Sequence, residues 1–522
     1  MNLFVVKLAK ISQNTDIHPV NDLTRRYFHQ KSSKDSKMRK RFEQQLILGQ
    51  KPISQTPIRL KDKGALIELI AALKAIFANS EYNSQIFRII ERKLSKNSLY
   101  SGRKGMDLWM IFVLSQVRLC LGASYETLHN LANNHYTLRF LMGVEREFGF
   151  ERIEFDYQNI YDNVTLLDDD TVRQLNEVIL AFGHDVFKKK EGGALRLKTD
   201  SFVVESNVHF PTDYNLLWDC IRKCLDTVMG FLDKYEGIEG WRKIANWRHD
   251  AKGLMRELGK ASGSGGKNKE KRIKAAAIKY LAKTRALMDK LAKEVPSLPL
   301  DDFSDLAAHY VLEHFMILAD KHIDLLQRRV IKSEEIPHCE KIFSVFEQYI
   351  EMVKKGKLHP NVELGKKLAI TTDQFNLIVD YQIMEDEQDR DIVIKLADRV
   401  LSRNKVSSWS FDKGYWNKEN KALLQLEVPT VVMPKLGKRN EQETEEEHTP
   451  VFMRLKNKHS AIESNINELE NRGLDRCPDR GFHHYKSYIG LGVCAYNLKK
   501  IGKALMDQQR AMIKEEPLRQ AA

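Results

Sequence analysis

Apolar residues recur at helical spacing from about 64 to 145. There "DLWMIFVLSQVRLCLG" and "SYETLHNLANNHYTLRFLMG" each end in a glycine, a usual helix stop. The period changes at 194 to 208, which reads as one strand or a tight strand pair, and turns helical again after Pro211 from about 214 to 355. A Gly/Ser/Lys stretch, "GKASGSGGKNKEKR" (259 to 272), predicts a loop between two basic amphipathic helices of that block. In "KKLAITTDQFNLIVDYQIM" (366 to 384), Phe375, Leu377, Val379, Tyr381 and Ile383 alternate, and "TDQ" predicts a hairpin turn. Then follow a helix in "DRDIVIKLADRVLSR", a strand in "KVSSWSFD", a helix in "NKENKALLQLE", a strand in "VPTVVMP", a charged loop in "GKRNEQETEEEHTP" and a helical end. Strands alternating with helices imply a mixed α/β domain whose sheet is partly parallel. Its opening strands are separated from the rest by a long helical insertion, which a surface loop tolerates because closure entropy grows only logarithmically with length.

Charge changes this picture more than composition does. Lys and Arg total 84 against 71 Asp and Glu, a net charge of +13, the sign expected of a chain that meets a polyanion. The six cysteines show no CxxC spacing and read as reduced thiols. The longest apolar run, "LWMIFVL", is far too short to span a bilayer, and "MNLFVVKLAK" lacks the basic start of a signal peptide. The expected location is cytoplasmic.

Three acids stand out by position. Asp200 lies inside the strand "LKTDSFVVESNVHFPTD", where a carboxylate fits poorly. Asp412 ends the strand "KVSSWSFD" just before Lys413-Gly414, and strand C-termini are where open α/β sheets gather ligand groups. It could equally cap the turn that follows. Glu463 lies beside the apolar stripe Ile462, Ile466 and Leu469, and "SAIE" (460 to 463) also satisfies the pattern of a helix capping box. Asp380 in "LIVDYQIM" is a rival strand acid, and Glu205 and Asp213 flank the first strand. Two hard divalent cations about 3.5–4 Å apart, set for in-line phosphoryl displacement, require carboxylates in this combination.

The segments "LKTDSFVVESNVHFPTD", "SWSFDKGYW" and "KHSAIESNINELENRGLDRCPDRG" resemble the blocks of insertion-sequence DDE transposases, and "SGRKGMDLWMIFVLSQVRLCLGASYETLHNLANNHYTLRFLMG" resembles their helical N-terminal domain. The resemblance covers about 100 to 210 and 356 to 505. It implies an RNase H-like mixed sheet flanked by helices, with Asp200, Asp412 and Glu463 as the triad that binds two Mg²⁺ or Mn²⁺ ions. The implied reaction is hydrolysis of phosphodiester bonds at transposon ends, followed by attack of the freed 3′-OH on target DNA. The alternatives are a related metal-dependent nuclease that does not join strands and a non-catalytic DNA-binding derivative. The expected partners are double-stranded terminal repeats and target DNA, bound by a homodimer or higher multimer. The expected division is a basic arm (1–60), a helical N-terminal domain (61–185), a catalytic domain (186–213 and 356–510), a helical insertion (214–355) and a tail (511–522). The long stretch between Asp200 and Asp412 departs from better-known relatives, which carry large insertions between the second Asp and the Glu.

Candidate DNA-contacting groups are Lys456, Lys458 and His459 before the Glu463 helix, Arg472, Arg476, Arg480 and Lys486 after it, and Arg242, Lys243 and Arg248 in the insertion. Lys252 and the lysines of 267 to 274 extend that basic face, and the run Lys37, Arg39, Lys40 and Arg41 is expected to be a mobile DNA-contacting tail. Trp218, Trp241 and Trp247 are expected in the insertion's core.

Overall fold

A computed structural model describes residues 39–42, 49–95, 105–146, 152–190, 192–354 and 362–520. Most of the expected basic arm, Lys37 included, lies outside them. The chain divides into two compact units. The described part of one is 208–350; that of the other lies within 39–207 and 351–520.

The larger unit is a mixed α/β structure around a seven-stranded mixed sheet. The strands are β1 (Leu195–Ser206), β2 (Glu351–Lys354), β3 (Val362–Thr372), β4 (Ile378–Ile383), β5 (Val406–Phe411), β6 (Thr430–Val432) and β7 (Arg476–Cys477). The path is β2-β3-β1-β5-β6, with β4 on β3 and β7 on β1. β1 pairs antiparallel with β3, Asp200 opposite Ile370, and parallel with β5, Thr199 opposite Phe411. The turn between β3 and β4 is tied by the buried Asp373, whose carboxylate accepts from the backbone N–H of Phe375 (2.8 Å) and Leu377 (3.0 Å).

The helices ahead of β1 are α1 (Ala65–Ala78), α2 (Ser80–Ser95), α3 (Leu108–Leu121), α4 (Tyr125–Asn134), α5 (Tyr136–Leu141), α6 (Tyr157–Val164) and α7 (Asp169–Val186). Ser124, Asp156 and Asp168 cap α4, α6 and α7 with their side chains, which fixes where these helices start. They belong to the same compact unit as the sheet. Gly502 brings the last helix so close to α1 that an added Cβ would stand 1.7 Å from the Glu68 carbonyl oxygen. Arg118, 3% exposed, pairs in bidentate fashion with Asp479 (2.8 and 2.6 Å) and lies over the Tyr125 ring. Arg39 and Arg41, expected in a mobile tail, are held: Arg39 donates to Asn163, and Arg41 pairs with Glu91 (2.7 Å).

The smaller unit is helical: α8 (Asp213–Lys234), α9 (Ile244–Gly263), α10 (Lys269–Glu294) and α11 (Phe303–Leu326). Its core includes Trp218 and Trp241, and Trp247 packs against it. Two expectations need correction here. α9 continues through Gly259 to Gly263 because Leu258 is buried on the face that meets α10, so only 264–268 lie outside the helices. Helix also does not persist to 355: regular helix ends at 331, irregular chain follows, and 351–354 is the edge strand β2.

After the sheet hairpin come α12 (Val393–Leu401), α13 (Lys418–Glu427), α14 (Glu441–Glu447), α15 (Pro450–His459), α16 (Ala461–Leu469) and α17 (Phe482–Gln520). The expected charged loop at 437–450 contains α14, which Asn440 and Glu443 nucleate with a complete capping box. No helix among the described residues is long and apolar enough to cross a membrane.

Candidate active site

The register of β1 and β5 sets the site. Lys198 lies opposite Ser410 and Thr199 opposite Phe411, so Asp200 and Asp412 follow one residue on. Neighbouring strands run about 4.8 Å apart, and residues of equal parity share a face. Lys198, Asp200, Ser410 and Asp412 therefore stand on one face at the carboxyl end of β5. α16 packs against β1 and brings Glu463 to this cluster.

Both capping alternatives fail in the structure. Asp412 precedes a short 3-10 turn, Lys413–Tyr415, but its side chain makes no cap. Ser460 has helical backbone angles (φ −54, ψ −20) rather than the extended ones of a cap, and its hydroxyl donates back to the Asn457 carbonyl (2.9 Å). α15 ends at His459 and α16 begins at Ala461, and no side chain caps that start. Among the described residues, no hydrogen bond or ion pair engages the carboxylate of Asp412 or of Glu463.

The field at Asp200 reports the convergence. Burial first, then the negative charges of Asp412, Asp389 and Glu463, push its carboxyl up to about 7, against the lowering effect of the Ser201 N–H that it accepts (2.7 Å). Among the described residues no three His, Cys, Asp or Glu side chains form a group that could hold a metal ion.

Asp389 is the acid that sequence reading missed. It sits on the opposite face, accepting from the Ser201 hydroxyl (2.6 Å) and Lys367 (2.8 Å). It lies in the run "EDEQDRD", where nothing in the spacing singles it out. An added Cβ at Gly414 would stand 3.1 Å from an Asp389 side-chain oxygen, so the turn after Asp412 packs closely on that carboxylate. Tyr415, buried beside Asp389 and Asp200, has a phenol raised well above its usual range, chiefly by burial.

The rival acids have other work. Asp380 is buried and ion-paired with Arg399 (2.7 Å), Glu205 pairs with Arg476, and Asp213, in the other unit, pairs with Arg329 (2.8 Å).

The candidate DNA contacts divide. Lys458 and Arg480 are exposed and Lys456 half-buried. His459 does not face solvent: its Nδ1 meets the Ser410 hydroxyl (3.0 Å), its Nε2 is buried with no hydrogen-bond partner, and burial lowers its imidazole to about 4. Its place against β5, two residues from Asp412, fits a supporting role better than a DNA contact. Arg472 donates to the Cys120 carbonyl (3.0 Å) at the end of α3, Arg476 is engaged by Glu205, and Lys486 pairs with Glu385 (2.9 Å). In the smaller unit Arg242 and Lys243 are exposed, whereas Arg248 pairs with Asp226.

Comparison with protein-family models, with curated proteins and with solved structures gave no match.

Proposed function

We propose that this chain is a DNA transposase with an RNase H-like catalytic domain, cutting phosphodiester bonds at transposon ends and joining the freed 3′-OH to target DNA. The observation that carries the proposal is the field at Asp200, where burial first and then the charges of Asp412, Asp389 and Glu463, from distant segments, raise the carboxyl to about 7. The order of the sheet, antiparallel on one side of β1 and parallel through β5 and β6, supports the RNase H-like reading.

The donor set suits two Mg²⁺ or Mn²⁺ ions. It consists of hard oxygen ligands, two of them unpartnered, whose mutual repulsion a cation would offset. Bound cations would supply charge stabilisation and an activated water for phosphoryl displacement. Asp200, Asp412 and Glu463 hold them in this scheme. Ser410 and His459 fix the end of β5, while Asp389, anchored by Lys367 and Ser201, sets the turn that carries Asp412. Exposed cations such as Lys458 and Arg480 would meet duplex phosphates, and concerted cutting of two ends would require a multimer.

The test uses the full chain and a plasmid carrying the DNA that flanks its coding sequence. Mg²⁺-dependent cleavage and joined product are expected from the native protein, and neither from Glu463→Gln, which keeps the side chain's size but not its charge. Cleavage without joining, when a pre-cut end is supplied, would assign a nuclease instead. Normal cleavage by Glu463→Gln would refute the site.

A further inference from the structure

Helices α9 and α10 of the smaller unit form an antiparallel hairpin with uneven electrostatics. Some of its cations are matched: in the shaft Lys283 pairs with Asp250 (2.8 Å) and Lys279 with Glu257 (3.0 Å), and at the tip Lys274 pairs with Glu270 (3.1 Å). Six others, from the middle of α9 to the tip, are not. Lys252, Arg256 and Lys260 recur every fourth residue on α9, forming an exposed stripe turned away from the buried Ala251 and Leu258. Lys267, Lys269 and Lys271 flank the tip from the α10 side, all exposed. None of these six has an ion-pair partner among the described residues. Arg272 folds back to donate to the Gly265 carbonyl (2.7 Å), closing the turn. Gly265 and Gly266 leave the apex without side chains, and an added Cβ at either would meet open space.

Folding gains little from these cations. Unmatched like charges repel, and Lys269 and Lys271 occupy the first turn of a long helix, where the backbone dipole disfavours cations and Glu270 alone offsets them. A solvated surface needs no such concentration, since interspersed charges keep a helix soluble equally well. A polyanion offsets the repulsion.

We propose that the tip of the α9–α10 hairpin is a duplex-DNA grip that binds the phosphate backbone without reading sequence. The inference rests on the DNA reading above and adds the surface that holds the duplex. Charge complementarity favours this occupant: one row of cations on α9 leading to a lysine-rich, side-chain-poor turn matches a line of phosphates, and nothing aromatic on them offers a platform for unstacked bases.

The test is fluorescence anisotropy of the full chain on a random-sequence duplex over a salt series. Neutralising Lys267, Lys269 and Lys271 to Gln should reduce the slope of log affinity against log salt by about two to three, because each phosphate contact contributes about 0.9. The triple variant Arg59→Gln, Lys61→Gln, Lys63→Gln, exposed cations of the other unit, is the charge control and should move the slope by less than one. Unchanged helical circular dichroism shows that the variant is folded. An unaltered slope in the tip variant, an equal fall in the control, or no binding by the native chain each overturns the grip. The catalytic reading is scored separately, by Mg²⁺-dependent cleavage at saturating DNA, which the tip variant should retain and Glu463→Gln should lose.

Discussion

Replacing Asp200 by Asn should make the cation-free protein more stable while abolishing catalysis. The unfolded chain's Asp200 titrates near 3.8, and the folded chain's carboxyl is pushed up to about 7. Below pH 4 both states hold the proton, and Asp200 does not oppose folding. Between pH 4 and 7 the unfolded state has released its proton and the folded state has not, so stability falls as pH rises; above about 7 the loss is constant. A displacement of this size corresponds to about 4 kcal/mol at pH 8, which partial solvent access reduces to roughly 2–3 kcal/mol. Asn keeps the oxygen that accepts from the Ser201 N–H but carries no charge. The assay is the urea midpoint of native and Asp200→Asn protein in EDTA at pH 5 and pH 8. The variant should be the more resistant, with the larger gap at pH 8. Millimolar Mg²⁺ should then raise the native midpoint and narrow the gap, since a ligand that binds only the folded state stabilises it by mass action. A variant less stable than the native chain at pH 8 in EDTA, or a gap independent of pH, would refute the reasoning.

Other expectations follow from particular contacts. His459→Ala removes the imidazole that braces Ser410, and Mn²⁺ affinity by calorimetry should fall about tenfold, as for loss of a partner behind a ligand. A fall in DNA affinity with unchanged Mn²⁺ binding would return His459 to the DNA surface. Arg118→Ala strands the Asp479 carboxylate and should cost about 3–5 kcal/mol in the unfolding of the larger unit; a loss under 1 kcal/mol would show that the pair contributes little. Gly502→Ala drives a methyl into the Glu68 carbonyl, so its soluble yield and melting temperature should drop sharply, whereas Gly253→Ala, which meets open space, should not lower them.

How much of this was legible in the sequence depends on the range of the forces involved. β1, β3, β4 and β5 overlap the segments that read as strands, because each buries one or both faces in the same sheet. The two-residue β7 and the edge strand β2 carry too few alternations to register as strands. α14 looked like a loop because its sequence is almost all charged, yet a capping box is a local signal, and Asn440 with Glu443 was there to be read. The shared core of α1 through α7 and α17 could not be read, since it depends on close approaches between segments hundreds of residues apart, such as Gly502 on Glu68.

The site shows the same division more sharply. Asp412 and Glu463 were visible by position, but position also allowed each to be a cap. What separates the roles is backbone geometry at one neighbour: Ser460 in a helical conformation cannot cap, so Glu463 is left without a structural task. Asp389 was invisible for the converse reason. Its structural task, accepting from Ser201 and Lys367, is set by the register of β1 with β3, which places Ser201 opposite Ala369 and Val203 opposite Lys367. Spacing along the chain thus nominates acids, and the partners they have or lack sort them. On that criterion Asp389, Asp380 and Glu205 are held by cations, whereas Asp412 and Glu463, whose charges act on Asp200, have no such partner among the described residues. A fold that keeps carboxylates together without counter-charges lowers its own stability, and the Asp200→Asn comparison measures that sacrifice directly.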